Sequence, residues 1–555
     1  MSVLKPLLLP LLSAVLLAVG PLSAHDQTHT HPAGEQLGTV HFETSCTPAA
    51  QAGFDRAVSL LHSFEFGSAI SSFEAILQTD PSCAMAEWGI ALSQWGNPFG
   101  MTTRGPEQLR TGRAAIERAR AIGAKTDRER AYIDAAANLY ADPAKPQQVR
   151  MAAYRDAMGR LSAQFPQDTE AAIFYALSLT AAEDLNDKTY AGRLHAVAIL
   201  EPLFAKQPNH PGLAHYIIHS YDVPALAPRA LNAATRYAEI APSAPHALHM
   251  PSHTFTRVGL WQESIDTNIA SAAAAKQQHA TGEELHASDY QMYAYLQTAQ
   301  DAAAKRLLDS LPDMVARFGT QSVASAAPPS AARYAIAAIP ARWSLERGAW
   351  SEAARLQVHP SDVPYADALT AFARVVGAAR SGDAAGAHAA LKDLDAARAR
   401  QEATKEAYWI QQIDIERQAA AAWVAFADGR TSEAIKEMRA AADAEDKTEK
   451  AAVTPGPLAP AREQLGEMLL ETKDARAALV EFRATLGKEP NRFRATSGAA
   501  RAAAASGDAD TARKYFDQLV TICARGDSPG RPELAQARAA VAREAHKLPP
   551  GNRVP

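Results

Sequence analysis

The chain has 555 residues and a net charge of −5, with acidic and basic residues interspersed rather than blocked. That balance offers no basic stripe to a nucleic acid and no cationic patch to an anionic membrane, so neither is expected as a partner.

Met1-Ser2-Val3-Leu4-Lys5 leads into a mostly apolar run from Pro6 to Leu22 that ends in Ser23-Ala24. One basic residue, an apolar stretch and a small residue at the cut read as a secretory signal over 1–24, and the mature protein is expected in the periplasm. Pro6, Pro10 and Pro21 interrupt the run, and no later stretch approaches about 20 apolar residues, so no stable membrane insertion is expected after cleavage. Residues 25–49 form a polar segment with His25, His29 and His31, a tract of the kind that scavenges metal. Cys46 and Cys83 flank the first helical hairpin, which in an oxidising compartment predicts a disulfide worth about 3–4 kcal/mol, with Cys523 left as a buried thiol.

From residue 50 onward, Ala-rich segments with apolar residues at i, i+3 and i+4 dominate and β-branched runs are scarce, which predicts an all-α chain. Ala69, Phe73 and Pro81 are spaced by four and eight residues. The same spacing returns at Ala478, Phe482 and Pro490, and Ala512 and Phe516 lie 34 residues beyond Ala478 and Phe482. Leu465-Gly466 marks a close-packing point in the helix before them. The aromatics Phe54, Phe64, Phe66, Trp88, Trp95 and Phe99 fall at hairpin spacing and are expected in the core, with one or two on the floor of a groove. The frame fades between about Thr267 and Ile415. The expected organisation is a first solenoid half over 50–318, a linker rich in Ser, Ala and Pro over 319–332, a second half over 333–530 and a tail over 531–555. Thr454-Pro455-Gly456-Pro457-Leu458-Ala459-Pro460 reads as a second break.

The candidate chemistry lies in the first half. His215 and His219 recur 34 residues later as His249 and His253, each pair spaced i, i+4, and Pro208 and Pro242 keep the same register. That spacing places both imidazoles of a pair one turn apart on one helix face, a common way to supply two metal ligands. Asp222 extends the first stripe, and His246 extends the second at i, i+3, i+7. Pro251 either bends this second helix or opens it. Neighbouring equivalent helices lie about 10 Å apart, so the imidazoles can reach a shared centre. His286 and Tyr290 repeat the i, i+4 geometry in the next first helix, and Glu183 ends an upstream helix; all three are candidates for outer support.

The 34-residue period and its small–aromatic–proline frame resemble the tetratricopeptide repeat, in which each helix-turn-helix unit buries its apolar face on its neighbours and the first helices line a concave groove. Nearly the whole mature chain also resembles a group of exported bacterial tetratricopeptide proteins. The resemblance is carried by the start His41-Phe42-Glu43-Thr44-Ser45-Cys46, the His210-Pro211-Gly212 two-histidine helix and His249-Met250-Pro251-Ser252-His253. It implies the α-solenoid fold and export, and assigns no activity. The chain has no glycine-rich phosphate loop, Gly-x-Ser-x-Gly elbow or His-Glu-x-x-His helix. The expected function is binding of a transition metal, copper or zinc, in the groove through His215, His219, His249 and His253, with His246 or Asp222 as further ligand or outer partner. The alternatives are a non-catalytic scaffold docking a peptide or protein, and a metal-dependent hydrolase or oxidase built on the same histidines.

Overall fold

The computed structural model describes residues 34–318, 326–358 and 360–547, with side chains described to 543. The segment 1–24 expected to be a secretory signal, the tract of His25, His29 and His31, residues 319–325 of the expected linker and residues 548–555 of the expected tail lie outside the described residues. The regular elements that are described are helices, and consecutive helices pack on one another as hairpins: Gln51–His62 with Phe66–Thr79, Pro211–Tyr221 with Leu231–Ile240, Thr281–Gln297 with Asp301–Phe318, and Ala461–Glu471 with Ala475–Lys488. No helix among the described residues is long and apolar enough to cross a membrane.

The repeat frame read from the sequence is a packing device. Phe73 and Phe482 are fully buried, as are Ala69 and Ala478. The Phe73 ring fills the space that Gly89 leaves on the next helix, where a Cβ would stand 2.3 Å from it. Gly498 makes the same room for Phe482, at 2.4 Å. Each buried ring contributes about 1.5–3 kcal/mol. The architecture of the described residues is thus an all-α succession of packed helical hairpins. It continues where the sequence frame fades, through helices such as Pro364–Arg380, Ala384–Thr404 and Ala407–Ala427. Cys46 and Cys83 are joined in a disulfide with their Cα atoms 4.8 Å apart, and Cys523 is free and buried.

One apolar cluster runs from Leu37 to Phe255 and takes in Ala326, and another runs from Ala299 to Ala537. A third joins Leu285, Met292 and Met314 to Ala335, Ile339 and Trp343, so the core continues across the span 319–332, inside which the helix Pro329–Glu346 begins. The segment Thr448–Pro460, between the helices Thr431–Glu445 and Ala461–Glu471, folds back onto the first half. Its carbonyls at Ala452 and Thr454 accept the Tyr290 hydroxyl, at 3.1 and 3.0 Å. Arg342, fully buried and paired with Asp289, donates to the carbonyls of Gly456 and Pro457 and to the Thr454 hydroxyl. The Pro-Gly-Pro stretch that reads as a break is therefore a plug bonded to the helices Thr281–Gln297 and Pro329–Glu346.

Candidate metal centre

Three successive first helices carry the histidines. Pro211–Tyr221 holds His215 and His219. The next is divided at Met250 into Pro245–His249 and Pro251–Val258, which puts Pro251 in a first turn where its missing N–H costs nothing. The third, Thr281–Gln297, holds His286 and Tyr290. The sequence places the imidazoles on an open groove, and here the structure differs: His215, His219, His246, His249, His253 and His286 are each at most 5% exposed. The plug covers them from one side. The loop after Trp95 covers them from the other, with the Phe99 ring stacked on His219 at a centroid distance of 4.0 Å. Phe64 packs edge-on against His215 at 4.4 Å, so two of the early aromatics touch the imidazoles.

The six imidazoles fall into two sets, His215–His219–His246 and His249–His253–His286, and within each set one nitrogen per residue lies within 4.8 Å of the others. The two i, i+4 pairs thus belong to different sets rather than to one four-histidine site. His246 completes the first set, and His286, expected only as outer support, completes the second. Rings of the two sets adjoin, His219 to His253 at 5.7 Å and His246 to His249 at 5.9 Å between centroids.

Hydrogen bonds at the outer nitrogens fix the tautomers. His215 Nδ1 donates to the His62 carbonyl at 2.6 Å, and His246 Nδ1 donates to Glu283 at 2.9 Å. The side-chain amide of Asn268 donates from Nδ2 to the Ser264 carbonyl at 2.6 Å, so its oxygen faces His249 Nδ1 at 2.7 Å and that nitrogen carries the proton. His253 Nδ1 donates to Asp222 at 2.9 Å. Burial would raise the Asp222 carboxyl, but Lys450 and Arg257 outweigh it and, with His253, hold it well below the usual range. The bare Nε2 atoms of His249 and His253 therefore face each other at 3.1 Å. The Nε2 atoms of His215, His219 and His246 and the Nδ1 of His286 are buried without a hydrogen-bond partner. Burial also opposes protonation: it pushes His253 down to about 4 and His286 to about 3, and burial together with neighbouring imidazoles holds His215, His219 and His249 well below their ordinary value.

Asp222 stands outside the imidazole sets, its two oxygens engaged by His253, Lys450 and Arg257. Glu183 is further out and pairs with Arg193, which donates to the His219 carbonyl at 2.8 Å. Tyr290 lies 4.9 Å from the His253 ring between centroids and 3.4 Å from its Nδ1 through the hydroxyl. The outer residues that sequence reasoning missed are His62, Asn268, Glu283 and Lys450. Only Glu283 carried a local signal, one turn before His286 on the same helix. A further group, His62–Glu170–His210, is bridged by the carboxylate, with 2.9 Å to each imidazole, and His62 bonds the Tyr216 hydroxyl through its other nitrogen. Gly212 allows this approach, since a Cβ there would stand 2.5 Å from the His62 ring.

No protein-family model matches the chain, and no curated protein matches it. Among solved structures, the crystal structure of the APC/C hetero-tetramer Cut9-Hcn1 contains a chain similar over 89% of both chains, at 14% identity and a TM-score of 0.33.

Proposed function

We propose that this protein is an exported α-solenoid that binds a transition metal, copper or zinc, through its buried histidines. The observation that carries this reading is the pair of Nε2 lone pairs of His249 and His253, 3.1 Å apart, each left bare because the opposite ring nitrogen is already a donor. Two lone pairs at that distance repel, and a cation between them or beside them removes the repulsion. A proton could do so only by placing charge in a site whose burial holds these imidazoles neutral. A metal ion takes neutral imidazole, and the outer hydrogen bonds to carbonyl, carboxylate and amide oxygens are what orient such ligands and make them more basic. Elemental analysis of protein purified from the periplasmic fraction is expected to find copper or zinc, and His215→Ala with His249→Ala is expected to remove it while helicity is kept. Undiminished metal in that double variant would overturn the assignment, and a mature chain that still begins at Met1 would overturn export.

A second reading, docking of a peptide, is favoured by a cavity of about 110 Å³ beside the plug, lined by Tyr365, Tyr408 and Trp409 with Arg257 and Lys450. It predicts that chelator leaves the melting temperature unchanged.

A further inference from the structure

The division of the histidines carries more than the presence of a metal. Each set supplies three imidazole nitrogens within 4.8 Å of one another, a span that an ion about 2 Å from each nitrogen closes with small side-chain movements. The evidence for each set is independent. In the first, three Nε2 atoms are buried without a partner, two of them on rings whose Nδ1 is held by the His62 carbonyl and by Glu283. In the second, the facing Nε2 pair of His249 and His253 is joined by the orphaned Nδ1 of His286. An ion seated in one set leaves the open nitrogens of the other unsatisfied.

Between the sets lies a cavity of about 30 Å³ that touches His219 and His246 on one side and His253 and His286 on the other. Its remaining wall is largely apolar, from Phe99, Ala326, Ala327 and Val453. A water needs about 10–15 Å³ of such volume, so the cavity has room for a ligand of about two or three heavy atoms.

Charge selects among metals. None of the six groups is a carboxylate, and the nearest carboxylates, Glu283 and Asp222, bond only the outer nitrogens of His246 and His253. An ion is therefore only partly neutralised in a buried site, and the cost of burial rises steeply with its charge. Arg257 and Lys450, both paired to Asp222, add positive charge at the edge of the second set. Two divalent ions would bring four charges into this space, and two cuprous ions bring two. Imidazole is an accepted ligand for copper, and the lower charge of the cuprous ion favours it over a divalent one in this buried site.

We infer that the two histidine sets hold a pair of copper ions, bound as Cu(I), one on His215, His219 and His246 and one on His249, His253 and His286, with the intervening cavity reserved for a small bridging ligand. This rests on the proposed metal-binding function. The test is an anaerobic titration of the full-length mature protein, stripped with chelator, with Cu(I) alone against a colorimetric Cu(I) chelator. Two ions per chain are expected. One ion per chain overturns the pair and leaves the metal-binding reading standing, and none overturns both. His215→Ala with His246→Ala, and separately His249→Ala with His286→Ala, are each expected to bind one ion with the helical signal kept. A variant that keeps its helicity and binds none shows one shared site and overturns the pair, as does a folded variant that still binds two. Should neither variant fold, the wild-type count decides. Equimolar Zn(II) added to the Cu(I)-loaded protein is expected to displace none of it, and displacement of both ions by zinc would overturn the choice of copper.

Discussion

The same helical hairpin is used in two ways in this molecule. In the repeats at Ala461–Glu471 and Phe493–Ala505, the buried polar groups of the first helices answer one another. Arg492, fully buried, donates from Nε to Glu463 at 2.8 Å, from Nη1 to the Tyr293 hydroxyl at 2.8 Å, and from Nη2 to Glu463 and Glu346. In the repeats at Pro211–Tyr221 and Pro245–Val258, the first helices instead carry imidazoles, and His215 and His246 have bonded outer nitrogens and unbonded inner ones. A buried polar group without a partner costs about 1–3 kcal/mol. The Arg492 network leaves one such atom, Glu346 Oε2, whereas the imidazole sets leave four, the Nε2 of His215, His219 and His246 and the Nδ1 of His286, so the nearly closed network is explained by stability and the open one is not. The open one is where a ligand belongs.

The largest expected effect tests the closed network. Arg492→Met strands the carboxylates of Glu346 and Glu463 in the core, and the loss is expected to be about 3–5 kcal/mol, read as a fall in melting temperature whether or not metal is present. A loss below about 1 kcal/mol would remove the contrast between the two regions.

Acidification probes the other side. In the metal-free protein, His253 and His286 have folded-state pKa values below that of an unfolded histidine, so the unfolded chain binds more protons between the two values. Their stabilising contribution is complete above about pH 6.5 and is lost as pH falls toward 4 for His253 and toward 3 for His286. For His253 alone this is on the order of 3 kcal/mol. Denaturant midpoints of the stripped protein measured from pH 7 down to pH 4 should fall steadily, whereas a flat profile would mean that these imidazoles are not held neutral by the fold.

The smallest effect is the most discriminating. His219→Leu replaces a buried ring having an orphaned Nε2 with an apolar group of similar size, so the stripped protein is expected to change by no more than about 1 kcal/mol while its metal content falls. Denaturant unfolding and metal analysis of the same sample check both. A large loss of stability with metal retained would make His219 a packing residue.

These contrasts also explain what could be read in advance. The i, i+4 pairs, their 34-residue offset and the Ala–Phe–Pro frame are local patterns, and the helices that carry them follow directly. His286 was legible as a histidine at helical spacing but not as an equal member of a set, because its helix enters after an insertion that breaks the register. The outer partners come from elsewhere: the carbonyl of His62 lies 153 residues from His215, and Asn268 reaches His249 from the second helix of its own hairpin. No periodicity announces such contacts. The break at Thr454–Pro460 was legible, but its inward turn was not, for a related reason. Prolines and a glycine between two helices signal the end of an element, and only the packing of Arg342 and Tyr290 against Thr448–Pro460 shows that the segment turns inward and buries the centre.

The most direct measurement of the central claim is a pair of melting curves at pH 7.5 on the full-length mature protein loaded with copper or zinc, one with a chelator and one without. Because a ligand stabilises only the state that binds it, the account predicts a lower melting temperature with chelator and restoration when metal is added back. Identical curves, with no copper or zinc found in the loaded protein, would contradict it and leave the buried imidazoles as packing residues of the solenoid.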